Sequence, residues 1–284
     1  MTSFAPQRVV VVGVGLIGGS IGLALKARCP GVHVAGVGRR QGSLDEARAA
    51  GAIDSAHLDA AEGAAGADLA VLCTPVCAYR THLEAIKDVL ADGGLITDAG
   101  STKAAVVAEA EDILGRAGRF VGAHPMAGSE RKGVAYASAD LFEGAMCILT
   151  PGQHVPADAI EACRAFWEAI GMATRIRGPV EHDQALARVS HLPHVVSALL
   201  MLVPDPADLP LAASGLRDTT RLASGDPEMW RDILLTNREA MLAATEAFGE
   251  QLSSFKRLLT TARPEELEAF LAAAKHRRDS TIGG

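Results

Sequence analysis

The sequence has 284 residues, of which 49% are hydrophobic and 21% are charged, a balance typical of a globular protein with a large core. The net charge of −7 argues against nucleic acid as a partner, because a phosphate-binding surface needs clustered Lys and Arg. No apolar run is long enough for a membrane helix, and the first residues lack the pattern of a signal peptide. We therefore expect a cytoplasmic protein whose cysteines are reduced.

The first 178 residues alternate short apolar runs with helical segments. Four consecutive valines over 9–12 predict a strand that is buried on both faces, and a helix is predicted directly after it, over 16–28. A second helix is expected over 43–50, with Ser43 as its N-cap. Further strands are predicted at 32–37, 68–73, 95–99, 120–123, 145–149 and 173–176. This alternation indicates a parallel sheet wrapped by helices.

Beyond Gly178 and Pro179 the pattern changes to helices alone. Helical periodicity covers most of the chain from 180 to 277, with almost no strand signal. We therefore predict a sheet domain over 1–178 and an all-α domain over 179–284. Because the helices of the second domain are apolar over much of their surface, we expect it to join two copies into a homodimer.

A glycine-rich turn follows the first predicted strand. Gly13 permits a tight turn, Gly15 lets a pyrophosphate approach the backbone, and Gly18 lets helix and strand pack closely. The helix N-terminus at Leu16 and Ile17 offers free N–H groups to phosphates. The alternative is a purely structural turn. The position of the motif between a strand and a helix favours a Rossmann-type α/β domain that binds a dinucleotide.

The end of the second predicted strand bears on the choice between NAD and NADP. An acidic residue there would bind the ribose 2′-hydroxyl of NAD, but this sequence has Gly38, followed by Arg39 and Arg40. Two guanidinium groups can pair with a 2′-phosphate. We therefore predict NADP as the preferred cofactor and NAD as the alternative, which would hold if both arginines are only solvated surface residues.

Polar segments follow three consecutive predicted strands, at 74–75, 98–103 and 124–130. Ligands bind at the carboxyl ends of parallel strands, so we expect these segments to lie together, with Thr74 and Pro75 beside the cofactor. His124 is the predicted acid–base residue, because its ordinary pKa of about 6.5 is close to neutral pH. The alternative is a histidine that only fixes its loop. Ser101 is predicted to contact substrate or nicotinamide, with a helix N-cap as the alternative.

The predicted helical domain contains two histidines and an arginine that suit an anionic ligand. His191 and His194 are three residues apart and could share a helix face, and Pro193 between them predicts a kink. We predict no metal site, because the sequence supplies no third ligand nearby. Arg221 is predicted to bind a carboxylate through two parallel hydrogen bonds, unless it is a plain surface arginine. Asp218 and Trp230 are predicted to orient or line the site, with an N-cap and a core aromatic as alternatives.

Together these segments resemble the prephenate and arogenate dehydrogenases over nearly the whole chain. The matching segments are VVGVGLIGGS (11–20), DAGSTK (98–103), HPMAGSE (124–130), SHLPH (190–194) and RDTTRLASGDPEMW (217–230). The first is generic among dinucleotide enzymes, whereas HPMAGSE combined with SHLPH and the late arginine is specific to this family. The resemblance implies a nicotinamide-dependent oxidation and decarboxylation of a cyclohexadienyl substrate, and a dimer formed through the helical domain.

The resemblance also implies roles for single residues. His124 would deprotonate the C4 hydroxyl of the substrate while hydride leaves the same carbon, and Ser101 would align that hydroxyl. Arg221 would pair with a substrate carboxylate, His191 would be a second polar contact, and Ser129 would belong to the substrate site. We also expect no appended regulatory domain, so that any inhibition by tyrosine would act at the active site. The alternatives are a β-hydroxyacid or pyrroline-carboxylate type of dehydrogenase, or a non-catalytic NADP sensor.

Overall fold

An eight-stranded sheet forms the centre of the first part of this computed structural model, which describes residues 6–129, 131–261 and 263–281. The strands are β1 Arg8–Val12, β2 His33–Val37, β3 Ser55–His57, β4 Leu69–Leu72, β5 Leu95–Asp98, β6 Phe120–Pro125, β7 Met146–Pro151 and β8 Ala173–Ile176. Their order across the sheet is β3-β2-β1-β4-β5-β6-β7-β8. Neighbouring strands are parallel except β6 and β7, which are antiparallel. The predicted Rossmann-type sheet is confirmed.

Helices cover both faces of the sheet. They are α1 Leu16–Arg28, α2 Gln41–Ala49, α3 Ala60–Ala64, α4 Tyr79–Ile86, α5 Ala104–Leu114 and α6 Ala157–Ala169. Val9 and Val11 of β1 pack into a core on one face, whereas Val10 and Val12 pack into a second core on the other. Strand β1 is therefore buried on both sides, as its run of valines predicts.

Two local features differ from the sequence-based expectation. Helix α2 begins at Gln41, so that Ser43 lies inside its first turn and is not the N-cap. The side chain of Gln41 donates a hydrogen bond to Asp45 one turn later, at 2.9 Å, and this contact supports the earlier start. Strand β3 was not predicted, because its three residues are half-buried and lack an apolar run.

The chain after β8 is helical. Its helices are α7 Pro179–Leu186, α8 Leu192–Met201, α9 Ser214–Thr220, α10 Pro227–Thr236, α11 Arg238–Thr261 and α12 Pro264–Thr281. One π-helical turn, Ala187–His191, joins α7 to α8. Pro193 lies in the first turn of α8, and the irregular turn comes before it, since a proline nitrogen cannot donate to the carbonyl one turn earlier. None of the helices in the described ranges has both the length and the apolar character needed to cross a membrane.

The described residues form two compact units that divide between Arg238 and Glu239. The sheet and the helices as far as α10 belong to the first unit. In the second unit, α11 and α12 are joined by Phe255 and Phe270, whose ring centroids are 5.7 Å apart. The predicted domain boundary near 178 falls between β8 and α7, and it stays a prediction.

Candidate functional site

The glycine turn between β1 and α1 has the geometry that a bound dinucleotide needs. Gly13 has a φ of 98°, and a Cβ atom there would lie 2.8 Å from the backbone carbon of Cys73. A Cβ atom on Gly18 would lie 2.1 Å from the carbonyl oxygen of Gly13, so helix and strand approach too closely for a side chain. Nothing lies within 4 Å of the corresponding position on Gly15. The turn is therefore closed where it packs and open where a pyrophosphate would approach.

The carboxyl ends of β4 and β2 adjoin this turn. Thr74 follows β4, and its Oγ1 atom is buried without a hydrogen-bond partner in the described part of the chain. Because buried polar atoms normally have a hydrogen-bond partner, this hydroxyl is available to a bound group. Pro75 is exposed beside it. Arg39 and Arg40 are exposed just after β2, whose last residue accepts a hydrogen bond from the N–H of Gly13.

His124 lies in β6 and begins a chain of three polar side chains. Its Nδ1 atom is 2.9 Å from Nε2 of His182, and Nδ1 of His182 is 2.8 Å from Oδ1 of Asp183. Within the described ranges, Nε2 of His124 makes no hydrogen bond. Burial lowers the pKa of His124 well below its usual value, and the neighbouring His182 and positively charged Lys103 lower it further. His124 is therefore neutral near neutral pH, as a general base must be.

A buried ion pair joins the loop after β5 to strand β6. Lys103 and Asp98 are fully buried and pair with each other. Lys103 also donates to the carbonyl oxygen of Ala123 at 2.8 Å, and Asp98 accepts from the N–H of Ala123 at 2.9 Å. The backbone of Ala123, the residue before His124, is thus bonded to both members of the ion pair. Ser101 lies half-buried between the two charged residues in the chain, and because α5 begins after Lys103, Ser101 is not its N-cap.

Two histidines and a tryptophan form a second cluster in the helical segment. His191 is 1% exposed and hydrogen-bonds through Nδ1 to the side chain of Asn237, at 3.1 Å. His194 stacks on Trp230 with ring centroids 3.5 Å apart, and His191 meets the same indole edge-on at 6.0 Å. Trp230 is half-buried, so one part of its ring faces solvent. Within the described residues, no group of His, Cys, Asp and Glu is arranged to hold a metal ion.

Three predicted substrate residues are exposed. Arg221 begins a short 3-10 turn after α9 and makes no ion pair within the described ranges, so its charge is available to an anion. Asp218 lies inside α9, and it is therefore not an N-cap. Ser129 follows β6 and accepts a hydrogen bond from the N–H of Arg131 at 3.3 Å. Glu130, the last residue of the HPMAGSE motif, lies outside the described residues.

Three residues that were not predicted from the sequence lie next to the predicted ones in the structure. His182 contacts His124, and Asp183 contacts His182. Asn237 donates to the backbone carbonyl of Asp183 at 2.9 Å and also contacts His191. The only local signal was a histidine beside an aspartate directly after the predicted domain boundary, which is too common a pair to indicate a site.

The buried His191 should make the stability of the protein depend on pH. Burial lowers its pKa to about 4, with Asp183 opposing the shift and His182 and His194 adding to it. Since an unfolded histidine has a pKa of about 6.5, the unfolded chain binds a proton first as the pH falls. The stability that the fold gains from an uncharged, buried His191 is fully present above about pH 6.5 and is lost as the pH falls toward about pH 4. Between about pH 7 and pH 5, we expect His191 alone to lower the free energy of unfolding by about 2 kcal/mol.

Urea unfolding at the two pH values measures this effect, and a comparison of variants isolates His191 from other titrating groups. His191→Asn should show a smaller loss of stability toward acid than the unchanged protein. His154→Gln is the matched control, because His154 is exposed. An equal pH dependence in His191→Asn and the unchanged protein would contradict the prediction.

Comparison with known proteins gives a consistent family for both halves of the chain. Residues 21–175 match the family model described as "Prephenate dehydrogenase, nucleotide-binding domain", and residues 178–273 match "Prephenate dehydrogenase, dimerization domain". The chain is 36% identical to the prephenate dehydrogenase of Bacillus subtilis (strain 168), over 95% of this chain and 75% of that protein.

Two solved structures are similar in fold and sequence. One is the prephenate dehydrogenase from A. aeolicus in complex with hydroxyphenyl propionate and NAD+, with a TM-score of 0.90 and 34% identity over 96% of this chain and 98% of that chain. The other is the Synechocystis arogenate dehydrogenase, with a TM-score of 0.84 and 30% identity over 97% of this chain and 100% of that chain.

Proposed function

Because the chain belongs to the prephenate dehydrogenase family, we propose that it oxidises and decarboxylates prephenate or arogenate on the route to tyrosine. The observation that carries the proposal is the state of His124. His124 lies near the carboxyl end of β6, at the edge of the sheet where ligands bind in this fold. Its ring is neutral and hydrogen-bonded at Nδ1, and its Nε2 atom is free of hydrogen bonds to the described residues. This is the arrangement that a base acting on a substrate hydroxyl requires.

In the proposed reaction, Nε2 of His124 accepts the proton of the C4 hydroxyl. A nicotinamide bound over the glycine turn would supply the acceptor for the hydride that leaves the same carbon. Loss of carbon dioxide then makes the ring aromatic, so the reaction proceeds in one direction. Ser101 would donate to the same hydroxyl and align it for transfer.

The proposed substrate carries carboxylates, and Arg221 is proposed as the cation that binds one of them. Its guanidinium is exposed and can grip a carboxylate through two parallel hydrogen bonds. His191 would be a second polar contact through Nε2, since its Nδ1 atom is already bonded to Asn237. Ser129, Asp218 and Trp230 are proposed to complete the substrate site.

The cofactor proposal is NADP in preference to NAD. The open space at Gly15 and the unpartnered Oγ1 atom of Thr74 fit a dinucleotide lying over the turn, and the first N–H groups of α1 can bind its phosphates. Leu16, Ile17, Gly18 and Pro75 belong to the same proposed contact surface. Arg39 and Arg40 are proposed to bind the 2′-phosphate that distinguishes NADP.

The double variant Arg39→Ala/Arg40→Ala should therefore bind NADP+ about 10- to 100-fold more weakly, since hydrogen bonds to charged groups are worth about 1.5–3 kcal/mol. Its affinity for NAD+, which lacks the 2′-phosphate, should change little. Isothermal titration calorimetry with each nucleotide measures both values. Arg48→Ala removes an exposed arginine of α2 and serves as the control. An equal loss of affinity for NAD+ and NADP+ would show that the two arginines do not bind the 2′-phosphate.

We further propose that the protein is a cytoplasmic homodimer joined through the helical segment. The match to a dimerization domain over residues 178–273 supports the dimer. Exposed apolar side chains on α8 and in the chain just after it, such as Leu199, Leu202 and Val203, also support it. The five cysteines are all free thiols, as is usual in a reducing compartment.

The direct test combines purified protein with prephenate or arogenate, each with NAD+ or NADP+, and follows the reduced nicotinamide by absorbance. Turnover in at least one of these combinations supports the proposal and identifies substrate and cofactor together. If no combination reacts while the protein is folded and binds nucleotide, the proposed reaction is wrong and a nucleotide-binding sensor becomes the better explanation.

A further inference from the structure

Two residues outside the predicted site, His182 and Asp183, connect the proposed base to the start of helix α5. We propose that they are positioning residues, which fix the tautomer of His124 so that its Nε2 atom meets the substrate without a proton. The inference rests on the proposed function in naming His124 as the base. It adds two residues of the helical segment that act through His124 and touch no substrate themselves.

The direction of each hydrogen bond follows from Asp183, the last of the three hydrogen-bonded side chains. An ionised carboxylate can only accept, so the 2.8 Å contact between Asp183 and Nδ1 of His182 places a proton on that nitrogen. In a neutral ring the other nitrogen, Nε2, must then accept. Its partner at 2.9 Å is Nδ1 of His124, which therefore carries a proton and donates. The proton of His124 is thus on Nδ1, and Nε2 keeps its lone pair.

Asp183 is held in place by several hydrogen bonds, so its carboxylate can fix the direction of the hydrogen bonds to His182 and His124. Its Oδ1 atom accepts from the N–H of Lys103 and its Oδ2 atom from the N–H of Ala104, each at 2.8 Å. These N–H groups lie at the N-terminus of α5, where the helix dipole favours a negative charge. Asn237 binds the carbonyl oxygen of Asp183 as well. With His182 fully buried and Asp183 4% exposed, neither side chain has room to turn.

The charges around His124 explain how Asp183, which is connected to it through His182, can assist the proposed base. Burial lowers the pKa of His124, and the charges of His182 in α7, Lys103 in the loop after β5 and His191 in the π-helical turn lower it further. Burial and these neighbours oppose a positive charge on His124, so the ring stays neutral until it takes the substrate proton. At that moment the hydrogen bonds through His182 allow the negative charge of Asp183 to stabilise the new positive charge.

Two replacements of His182 separate this role from simple packing. His182→Phe keeps an aromatic ring but offers no acceptor to His124, whereas His182→Gln offers a side-chain oxygen in a less similar shape. If His182 only fills space, the Phe variant should be the more active one. If it fixes the tautomer, the Gln variant should be the more active one, and the Phe variant should lose roughly 100-fold in kcat, the lower range of general base catalysis. The KM for substrate and the affinity for nucleotide should change little in both variants.

Nitrogen-15 NMR of the histidine side chains reads the tautomers directly and needs no substrate. The unchanged protein should show His124 with its proton on Nδ1, and His182→Phe should lose this preference. His154→Gln, which removes an exposed histidine, should leave the His124 signals and kcat unchanged. If the unchanged protein shows no turnover but His124 is protonated on Nδ1, the proposed reaction fails and the positioning role stands. A proton on Nε2 of His124 in the unchanged protein, or a Phe variant as active as the Gln variant, would overturn the positioning role.

Discussion

His124→Asn is expected to lower kcat by about 10²- to 10⁴-fold, which is the usual contribution of a general base. The Asn side chain can still donate a hydrogen bond to His182, but it has no atom that can accept the substrate proton in place of Nε2. The substitution therefore removes the chemistry and keeps the neighbouring contacts. Steady-state kinetics with the substrate and cofactor that support turnover measures the loss.

Binding measurements make this result specific to catalysis. The nucleotide affinity of His124→Asn should match that of the unchanged protein, since the glycine turn lies after β1 and His124 lies in β6. A variant that loses nucleotide binding and activity together would indicate a general structural defect. A variant that keeps kcat within about fivefold would show that another group removes the proton, because a base normally contributes far more.

Lys103→Met is expected to lower the free energy of unfolding by about 3–5 kcal/mol, the usual cost of leaving one charge of a buried pair without its partner. Lys103 and Asp98 are both fully buried and pair with each other, so the substitution leaves the carboxylate of Asp98 buried without its cation. The methionine side chain fills similar space, so the loss reports the charge and not a cavity. Urea unfolding at one fixed protein concentration measures it, since the stability of the proposed dimer would depend on concentration.

Two further variants test whether the buried charge causes this loss. The double variant Asp98→Asn/Lys103→Met should recover part of the stability, because it removes the unpaired carboxylate. Lys132→Met should have a much smaller effect, since the pair of Lys132 with Asp226 is exposed on the Lys132 side. If Lys103→Met is no less stable than Lys132→Met, the buried ion pair does not stabilise the fold around His124.

Features that depend on neighbouring residues could be predicted from the sequence. The glycine turn needs only its own spacing and the strand before it, and its packing distances agree with the roles predicted for Gly13 and Gly18. The sheet and the family are also confirmed, because runs of valine and the longer motifs are strong local patterns. The start of α2 shows the limit of such patterns, since a serine that suits an N-cap lies two residues inside the helix.

Contacts between distant parts of the chain could not be predicted. His124 and His182 are 58 residues apart, and Ala104 and Asp183 are 79 residues apart. No spacing rule links residues so far apart in a single sequence. The same holds for Asn237, which interrupts the helical pattern predicted between 180 and 277 and binds Asp183. His124 could be proposed as the base from its residue type and its predicted place after a strand, whereas its contacts with His182 and Asp183 become visible only in the fold.

Helix α5 depends on an acceptor that is synthesised long after the helix itself. A chain leaves the ribosome N-terminus first. The N–H groups of Lys103 and Ala104 therefore lack their acceptor, the carboxylate of Asp183, until all strands of the sheet have been synthesised. A nascent chain that stops before this residue has the strands of the sheet but lacks the acid that orders the proposed base. The first turn of α5 and the ring of His124 therefore gain their hydrogen bonds only after His182 and Asp183 have been made.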